Sequence, residues 1–164
     1  MFTYDTKNKM RDCIIVDIDG TIAQKHPDRN IFDYTKVGMD LPIHPVIKII
    51  QELSFGIFIP HEPRDIEIEP YVKLIFVSGR QDYCKKETKD WINKHVTGFD
   101  DYELYMRKTG DNRDDTIVKH ELYENYIKDK FNVVAVFDDR PKVLRMWREL
   151  GLFTFNVAQH ENEF

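Results

Sequence analysis

Cys13-Ile14-Ile15-Val16-Asp17-Ile18-Asp19-Gly20-Thr21 is the stretch that decides how this chain folds and where it acts. Its first four residues are apolar and mostly β-branched. The run is too short for a helix and is bounded by Asp-Gly, so Cys13 to Val16 reads as a short buried strand. That strand delivers two carboxylates, Asp17 and Asp19, onto a turn at its C-terminal edge, where Gly20 permits a sharp backbone path. An isolated Asp-x-Asp is usually a solvated turn. The buried strand before it and Gly20-Thr21 after it point instead to a functional turn.

The same pattern, a buried strand followed by a polar motif, recurs twice. Leu74 to Val77 ends in Ser78-Gly79-Arg80, and Val133 to Phe137 ends in Asp138-Asp139-Arg140. Between these strands, His44-Pro45 followed by Val46, Ile47, Ile49, Ile50 and Leu53 predicts a helix with proline in its first turn. A charged amphipathic helix is expected from about Lys85 to His95, with Trp91 and Ile92 inward. Helical spacing runs from Asp114 to Phe131, and Pro141 opens a helix through Val143, Leu144 and Trp147 that Gly151 closes. Tyr102 to Met106 and Phe153 to Val157 are expected as further strands. Gln24 to Leu41 reads as a loop crossing near the site, and Ser54 to Tyr71 as an irregular excursion, either a lid or a surface feature. Alternating strands and helices predict an α/β fold with a doubly wound, mostly parallel, Rossmann-like sheet. Such sheets bind ligands beyond the carboxyl ends of their strands, where all three polar motifs sit.

At 164 residues the chain reads as one domain, 1–164, with an adequate core and little left for a cap. Its 41% hydrophobic and 32% charged residues exclude disordered and membrane classes. No span approaches the roughly 20 apolar residues of a membrane helix, and Met1 to Asp12 is too polar for a signal peptide, so a cytoplasmic protein is expected. Cys13 and Cys84 form neither a disulfide framework nor a zinc pattern and should be reduced. A net charge of −5 argues against a broad basic surface but leaves room for a basic pocket holding one phosphate.

The Asp17-Ile18-Asp19-Gly20-Thr21 motif resembles the first motif of the haloacid dehalogenase superfamily, mostly aspartate-nucleophile phosphatases. Dehalogenase members lack the second aspartate, so Asp19 points to phosphoryl transfer. That chemistry needs a nucleophile, a proton donor and positive charge around the phosphoryl group. The resemblance implies that Asp17 attacks phosphorus to form an aspartyl-phosphate, while Asp19 protonates the leaving oxygen and then activates water. Two carboxylates beside a dianionic phosphate repel it, so a hard divalent cation, Mg²⁺, is expected. Its ligands would be Asp17, Asp19 through its backbone carbonyl, and one of Asp138 and Asp139, with the other behind it. On local grounds an aspartate ahead of Arg140-Pro141 is equally a helix N-cap. Thr21, Ser78, Gly79 and Arg80 are the expected substrate contacts. Thr21 would tie the loop through its hydroxyl, Ser78 would donate to a phosphoryl oxygen, and Gly79 would let the backbone approach. Arg80 would grip a phosphate bidentately or make a surface ion pair.

A longer set of motifs narrows the resemblance. Asp17-Ile18-Asp19-Gly20-Thr21-Ile22-Ala23, Val77-Ser78-Gly79-Arg80, Gly110-Asp111-Asn112-Arg113-Asp114-Asp115 followed by Lys119, Asp138-Asp139-Arg140 and Met146-Trp147-Arg148 occur in a distinctive order. Over nearly its whole length the chain resembles the 3′-phosphatase domain of the bacteriophage T4-type polynucleotide kinase-phosphatases. By position, the resemblance adds Arg107, Asp114, Lys119 and Arg140 as substrate-binding residues, with Lys119 holding the phosphate against the nucleophile. The local alternatives are a solvated arginine for Arg107, a helix N-cap for Asp114 and a solvated helix face for Lys119. No Gly-x-x-x-x-Gly-Lys-Ser/Thr loop occurs, so a phosphatase alone is expected, with any kinase or ligase as a separate partner. The implied activity is Mg²⁺-dependent removal of a 3′-phosphate, or a 2′,3′-cyclic phosphate, from RNA or DNA ends during repair. A small-molecule phosphatase, such as a nucleotidase or sugar phosphatase, would use the same chemistry. A catalytically dead binder of phosphate ends would have lost an acid or base, and none is missing.

Overall fold

The β-branched run forms β1 (Arg11–Val16), the middle strand of a five-stranded sheet. The computed structural model describes residues 10–55, 72–98 and 101–158. Most of the expected 54–71 excursion lies outside them. After β1 come a two-residue ribbon, β2 (Ala23–Gln24) and β3 (Leu41–Pro42), and the helix α1 (His44–Phe55). Then follow β4 (Lys73–Gln81), α2 (Lys85–Ile92), β5 (Tyr102–Arg107), α3 (Asp115–Tyr126), β6 (Phe131–Asp138), α4 (Pro141–Glu149) and β7 (Thr154–Asn156). The sheet order is β5-β4-β1-β6-β7, with every pairing parallel.

A parallel sheet covered on both faces needs strands that are apolar on both sides, which is why β1 reads as a continuous run rather than an alternation. Its side chains divide by parity. Ile14 and Val16, with Leu74, Phe76 and Phe137, pack against Val46, Ile47 and Ile50 of α1 and Trp91 and Ile92 of α2. Cys13 and Ile15, with Ile75, Val77 and Val136, pack against Tyr123 of α3 and Val143, Met146 and Trp147 of α4. From β1 the chain builds outward through β4 and β5 on one side, then returns to β6 and β7 on the other. The order therefore switches direction between β1 and β6, which is where a doubly wound sheet opens a crevice at its carboxyl edge.

Several boundaries differ from expectation for identifiable reasons. Residues 24–41 are not plain loop: Ala23 and Gln24 pair antiparallel with Pro42 and Leu41, and Tyr34–Met39 forms a 3-10 helix capped by Asp33. Elements this short carry no readable period. The helix from Lys85 passes into a π-turn, Asn93–Thr97, which Gly98 ends at a φ of +71°. The spacing from Asp114 to Phe131 belongs to two elements, because α3 stops at Tyr126 and Phe131 opens β6. β4 runs on through Ser78-Gly79-Arg80 to Gln81, with an irregularity in its pairing between Ser78 and Gln81. Both cysteines are free and buried. Among the described residues, no helix is long and apolar enough to cross a membrane.

Candidate active site

Val16 pairs with Phe137 across the switch point, and the Asp17 N–H donates to the Phe137 carbonyl at 2.9 Å, so Asp17 and Asp138 emerge side by side. One carboxylate oxygen from each of Asp17, Asp138 and Asp139 lies within 4.8 Å of the others. Lys119, in the second turn of α3, reaches this cluster, its Nζ 2.7 Å from Asp17 Oδ1 and 2.8 Å from Asp138 Oδ2. A lysine only 2% exposed is tolerated because two carboxylates receive it. Burial opposes its charge, but Asp17 and Asp138 outweigh that effect and hold its pKa above the ordinary lysine value. Burial pushes the Asp17 carboxyl well above its usual range, with Asp138 and Asp139 adding to the rise and Lys119 opposing it. Burial, reinforced by Asp138, also raises Asp139.

The cluster thus holds more negative charge than one lysine neutralises. Asp138 has both oxygens engaged, Oδ2 by Lys119 and Oδ1 by the Arg140 N–H at 3.0 Å. Asp139 Oδ1 is buried without a hydrogen-bond partner among the described residues. An oxygen-only donor set with one uncompensated buried oxygen fits a hard divalent cation such as Mg²⁺.

Asp19 turns its carboxylate away from this cluster. Arg80 grips it bidentately, Nε to Oδ2 at 2.8 Å and Nη2 to Oδ1 at 2.7 Å. Arg80 Nη2 also donates to Asp40 Oδ2 at 2.9 Å, and Asp40 receives a second fork from Arg29, at 2.7 Å from Nε and 3.0 Å from Nη2. Arg29, Asp40 and Arg80 are all buried, and the Asp40 carbonyl accepts the Trp91 indole N–H at 2.7 Å. Alternating cations and anions satisfy one another, which is what makes burying them tenable. Arg80 is therefore not a surface ion pair, and its Nε and Nη2 are committed to carboxylates rather than presented to a phosphate. It orients Asp19.

The opposite wall is built around Asp115. Its two oxygens pair with Arg107 and Arg140. Arg107 also donates to the carbonyls of Gly79 at 2.8 Å, Asp111 at 3.2 Å and Arg113 at 2.6 Å, bracing the loop that the Gly110 stretch forms. A Cβ on Gly79 would stand 2.7 Å from Asp115 Oδ1, so a larger residue there would have to displace the Asp115 carboxylate from its arginines. Asp114 caps α3 by accepting the Thr116 N–H at 3.0 Å, and it pairs with Lys142 at 2.5 Å.

These walls enclose a cleft of 880 Å³. Asp17, Asp19, Gly79, Arg107, Asp114, Lys119, Asp139 and Arg140 line it. Thr21, Ser78, Arg80 and Asp138 stand behind the lining. Thr21 is fully buried and its hydroxyl donates to Asp17 Oδ2 at 3.4 Å, so it ties the turn from behind the cleft's lining. Ser78 is likewise buried, its Oγ accepting the Arg80 N–H at 3.2 Å, which leaves its own hydroxyl proton free to be donated. Sequence reasoning missed Asp115, Asp40 and Arg29. Asp115 was adjacent to a named residue, whereas nothing local marked Asp40 or Arg29.

An aspartate pair at the switch point of a parallel doubly wound sheet, with a buried lysine across it, defines a phosphatase of the haloacid dehalogenase type. More narrowly, the chain belongs to the family of the polynucleotide kinase PNKP phosphatase domain, whose model matches residues 11–162. It is 36% identical over 159 residues to a protein of Autographa californica nuclear polyhedrosis virus assigned as a bifunctional polynucleotide kinase/RNA ligase, covering 96% of this chain and 21% of the viral protein. Two solved structures of Pnkp1/Rnl/Hen1 complexes, one described as an RNA repair complex, superpose with TM-scores of 0.75. Their matched chains are 29% and 30% identical, with 95% and 93% of this chain and 44% and 47% of theirs covered. A class C acid phosphatase from Bacillus anthracis, at 10% identity and a TM-score of 0.51 over 94% of this chain and 70% of that one, shares the fold. The chain thus spans about a fifth of the viral relative and under half of the matched chains in the Pnkp1/Rnl/Hen1 complexes.

Proposed function

We propose that this chain is a divalent-cation-dependent phosphatase domain, 1–164, that removes a 3′-phosphate, or a 2′,3′-cyclic phosphate, from RNA or DNA ends. The observation that carries the reading is Lys119 bridging Asp17 and Asp138 at the mouth of β1 and β6, with Asp19 fixed on the same turn by Arg80. On a 3′-phosphomonoester, Asp17 attacks phosphorus in line, the P–O3′ bond breaks, and Asp19, protonated and rotated off the Arg80 fork, delivers its proton to the departing oxygen, leaving phosphate on Asp17. Asp19 then takes a proton from water, which attacks the same phosphorus and returns Asp17 and inorganic phosphate. Lys119 stabilises the charge gathering on the phosphoryl oxygens, and Arg140 faces them from the opposite wall. Bound Mg²⁺ would neutralise the carboxylates and phosphoryl oxygens together, held by Asp17, the Asp19 carbonyl and Asp139, while Asp138 holds Lys119.

Membership in the polynucleotide kinase phosphatase family supports a polynucleotide end over a small metabolite. The names of the relatives support operation alongside kinase and ligase activities in nucleic-acid repair. Two free buried thiols suit a reducing compartment, so the cytoplasm is the proposed location. The deciding experiment compares a 3′-phosphorylated oligonucleotide with nucleoside monophosphates and sugar phosphates. A preference of orders of magnitude for the oligonucleotide is expected, and equal turnover would favour the small-molecule alternative. EDTA should abolish turnover and Mg²⁺ restore it, whereas activity persisting in EDTA would remove the cation from the scheme.

Gly20 offers a test of the cation ligands. It adopts a φ of +85°, and a Cβ there would lie 2.1 Å from Asp139 Oδ2. Gly20→Ala should displace Asp139 and raise the Mg²⁺ concentration for half-maximal activity by roughly 10- to 100-fold. An unchanged Mg²⁺ titration would exclude Asp139 as a ligand.

A further inference from the structure

The turn from Asn30 to Asp33 holds Phe32 over the cleft with 78% of its surface exposed, beside Ile31 at 57%. Exposed apolar residues are ordinary when scattered singly. This pair, however, stands on a built support. Asn30 Oδ1 accepts the Phe32 N–H at 2.9 Å, and the Asn30 carbonyl accepts the Asp33 N–H at 3.0 Å. From beneath, buried Arg29 Nη1 donates to the carbonyls of Asn30 and Ile31, both at 3.3 Å. The remaining nitrogens of that guanidinium hold Asp40, Asp40 accepts from Arg80, and Arg80 holds Asp19. A chain of charge-assisted hydrogen bonds therefore fixes the Phe32 backbone relative to the acid that would protonate the leaving oxygen. Tyr34 continues the aromatic wall along the same cleft, braced edge-on by Tyr83 with ring centroids 6.2 Å apart.

An aromatic face that is exposed, carried on a braced turn and placed on the rim of a phosphate site has the properties of a stacking platform. Every nucleobase offers a π-face, and an aromatic side chain loses little conformational entropy on stacking. We propose that Phe32 is the platform for the base of the nucleotide bearing the 3′-phosphate, so that this wall recognises a nucleoside while Asp17 and Lys119 engage its phosphate. The inference rests on the 3′-end reading above and adds the feature by which the cleft would distinguish a nucleic-acid end from a sugar phosphate.

The test is a cycle on the full chain. Wild type, Phe32→Ala, Phe32→Leu and Phe32→Tyr are assayed on a 3′-phosphorylated oligonucleotide and on the same oligonucleotide with an abasic 3′-terminal nucleotide. Phe32→Ala should reduce the kcat/KM preference for the base-bearing end by roughly 10-fold, Phe32→Leu nearly as much, and Phe32→Tyr should preserve it. An undiminished preference in Phe32→Ala, an equal loss on both substrates, or full rescue by Phe32→Leu would each overturn the platform. A wild-type chain that hydrolyses glycerol 2-phosphate but neither oligonucleotide overturns the 3′-end reading and the platform with it. A wild type active on the oligonucleotides whose Phe32→Ala variant discriminates as well as it does overturns the platform alone.

Discussion

Replacing Asp17 with asparagine is expected to reduce turnover on the order of 10⁴-fold or more while leaving the protein folded, because it removes the proposed nucleophile without changing the side chain's shape. The predicted effect on stability has the opposite sign from most core polar substitutions. Asp17 is buried beside Asp138 and Asp139, and burial disfavours its charged form. An uncharged amide relieves part of that cost, and Lys119 keeps its 2.8 Å contact with Asp138. The thermal midpoint measured in EDTA should therefore hold or rise. A variant that keeps wild-type turnover would exclude Asp17 as nucleophile, and one that unfolds would show its carboxylate to be structural.

Lys119→Met should lower both activity and stability. The substitution removes the buried cation and leaves Asp17, Asp138 and Asp139 facing one another with only the more exposed Arg140 to offset their charge. Breaking a buried pair from one side costs about 3 to 5 kcal/mol. The loss should depend on pH in a defined direction. Carboxyls whose pKa is higher in the folded than in the unfolded state bind more protons when folded, so stability falls as pH rises. Asp17 and Asp139 are already held above their ordinary values, and loss of Lys119 pushes both further up. In EDTA the deficit should be largest near neutral pH and shrink as pH falls and these carboxyls take up protons. Denaturant melts across pH would show it, and a deficit independent of pH would mean that Lys119 acts through packing rather than charge.

What was legible in the sequence, and what was not, follows from the range of the interactions. The central strands were readable because a parallel strand buried on both faces must be apolar throughout, and each ended at a polar motif that had to lie at the sheet's carboxyl edge. Lys119 was locally indistinguishable from a solvated helix lysine, and only the family resemblance marked it; its burial against residues 102 and 19 positions away in sequence is a property of the fold. Arg80 shows the converse. A guanidinium after Ser-Gly reads as a phosphate grip, and burial alone reveals that Asp19 and Asp40 occupy it. The Gly110 to Asp115 run marked a loop that lines the cleft, yet which acid faces the cleft's arginines depends on helical phase. Asp114 sits at the cap of α3, and Asp115, one residue on, turns toward Arg107 and Arg140. Arg29 and Asp40 lie in a segment of a 3-10 turn and two-residue strands, whose lack of period hid its structure while its buried charges fix the acid.

The most direct measurement is to trap the phosphorylated enzyme. A 3′-³²P-labelled oligonucleotide is mixed with excess protein, quenched in acid within the first turnover, and the labelled peptide is mapped. Label that is stable in acid, lost in hydroxylamine and confined to the peptide containing Asp17 is the predicted result. Label on another residue, or phosphate released through a full single turnover with no labelled protein at any quench time, would contradict nucleophilic attack by Asp17.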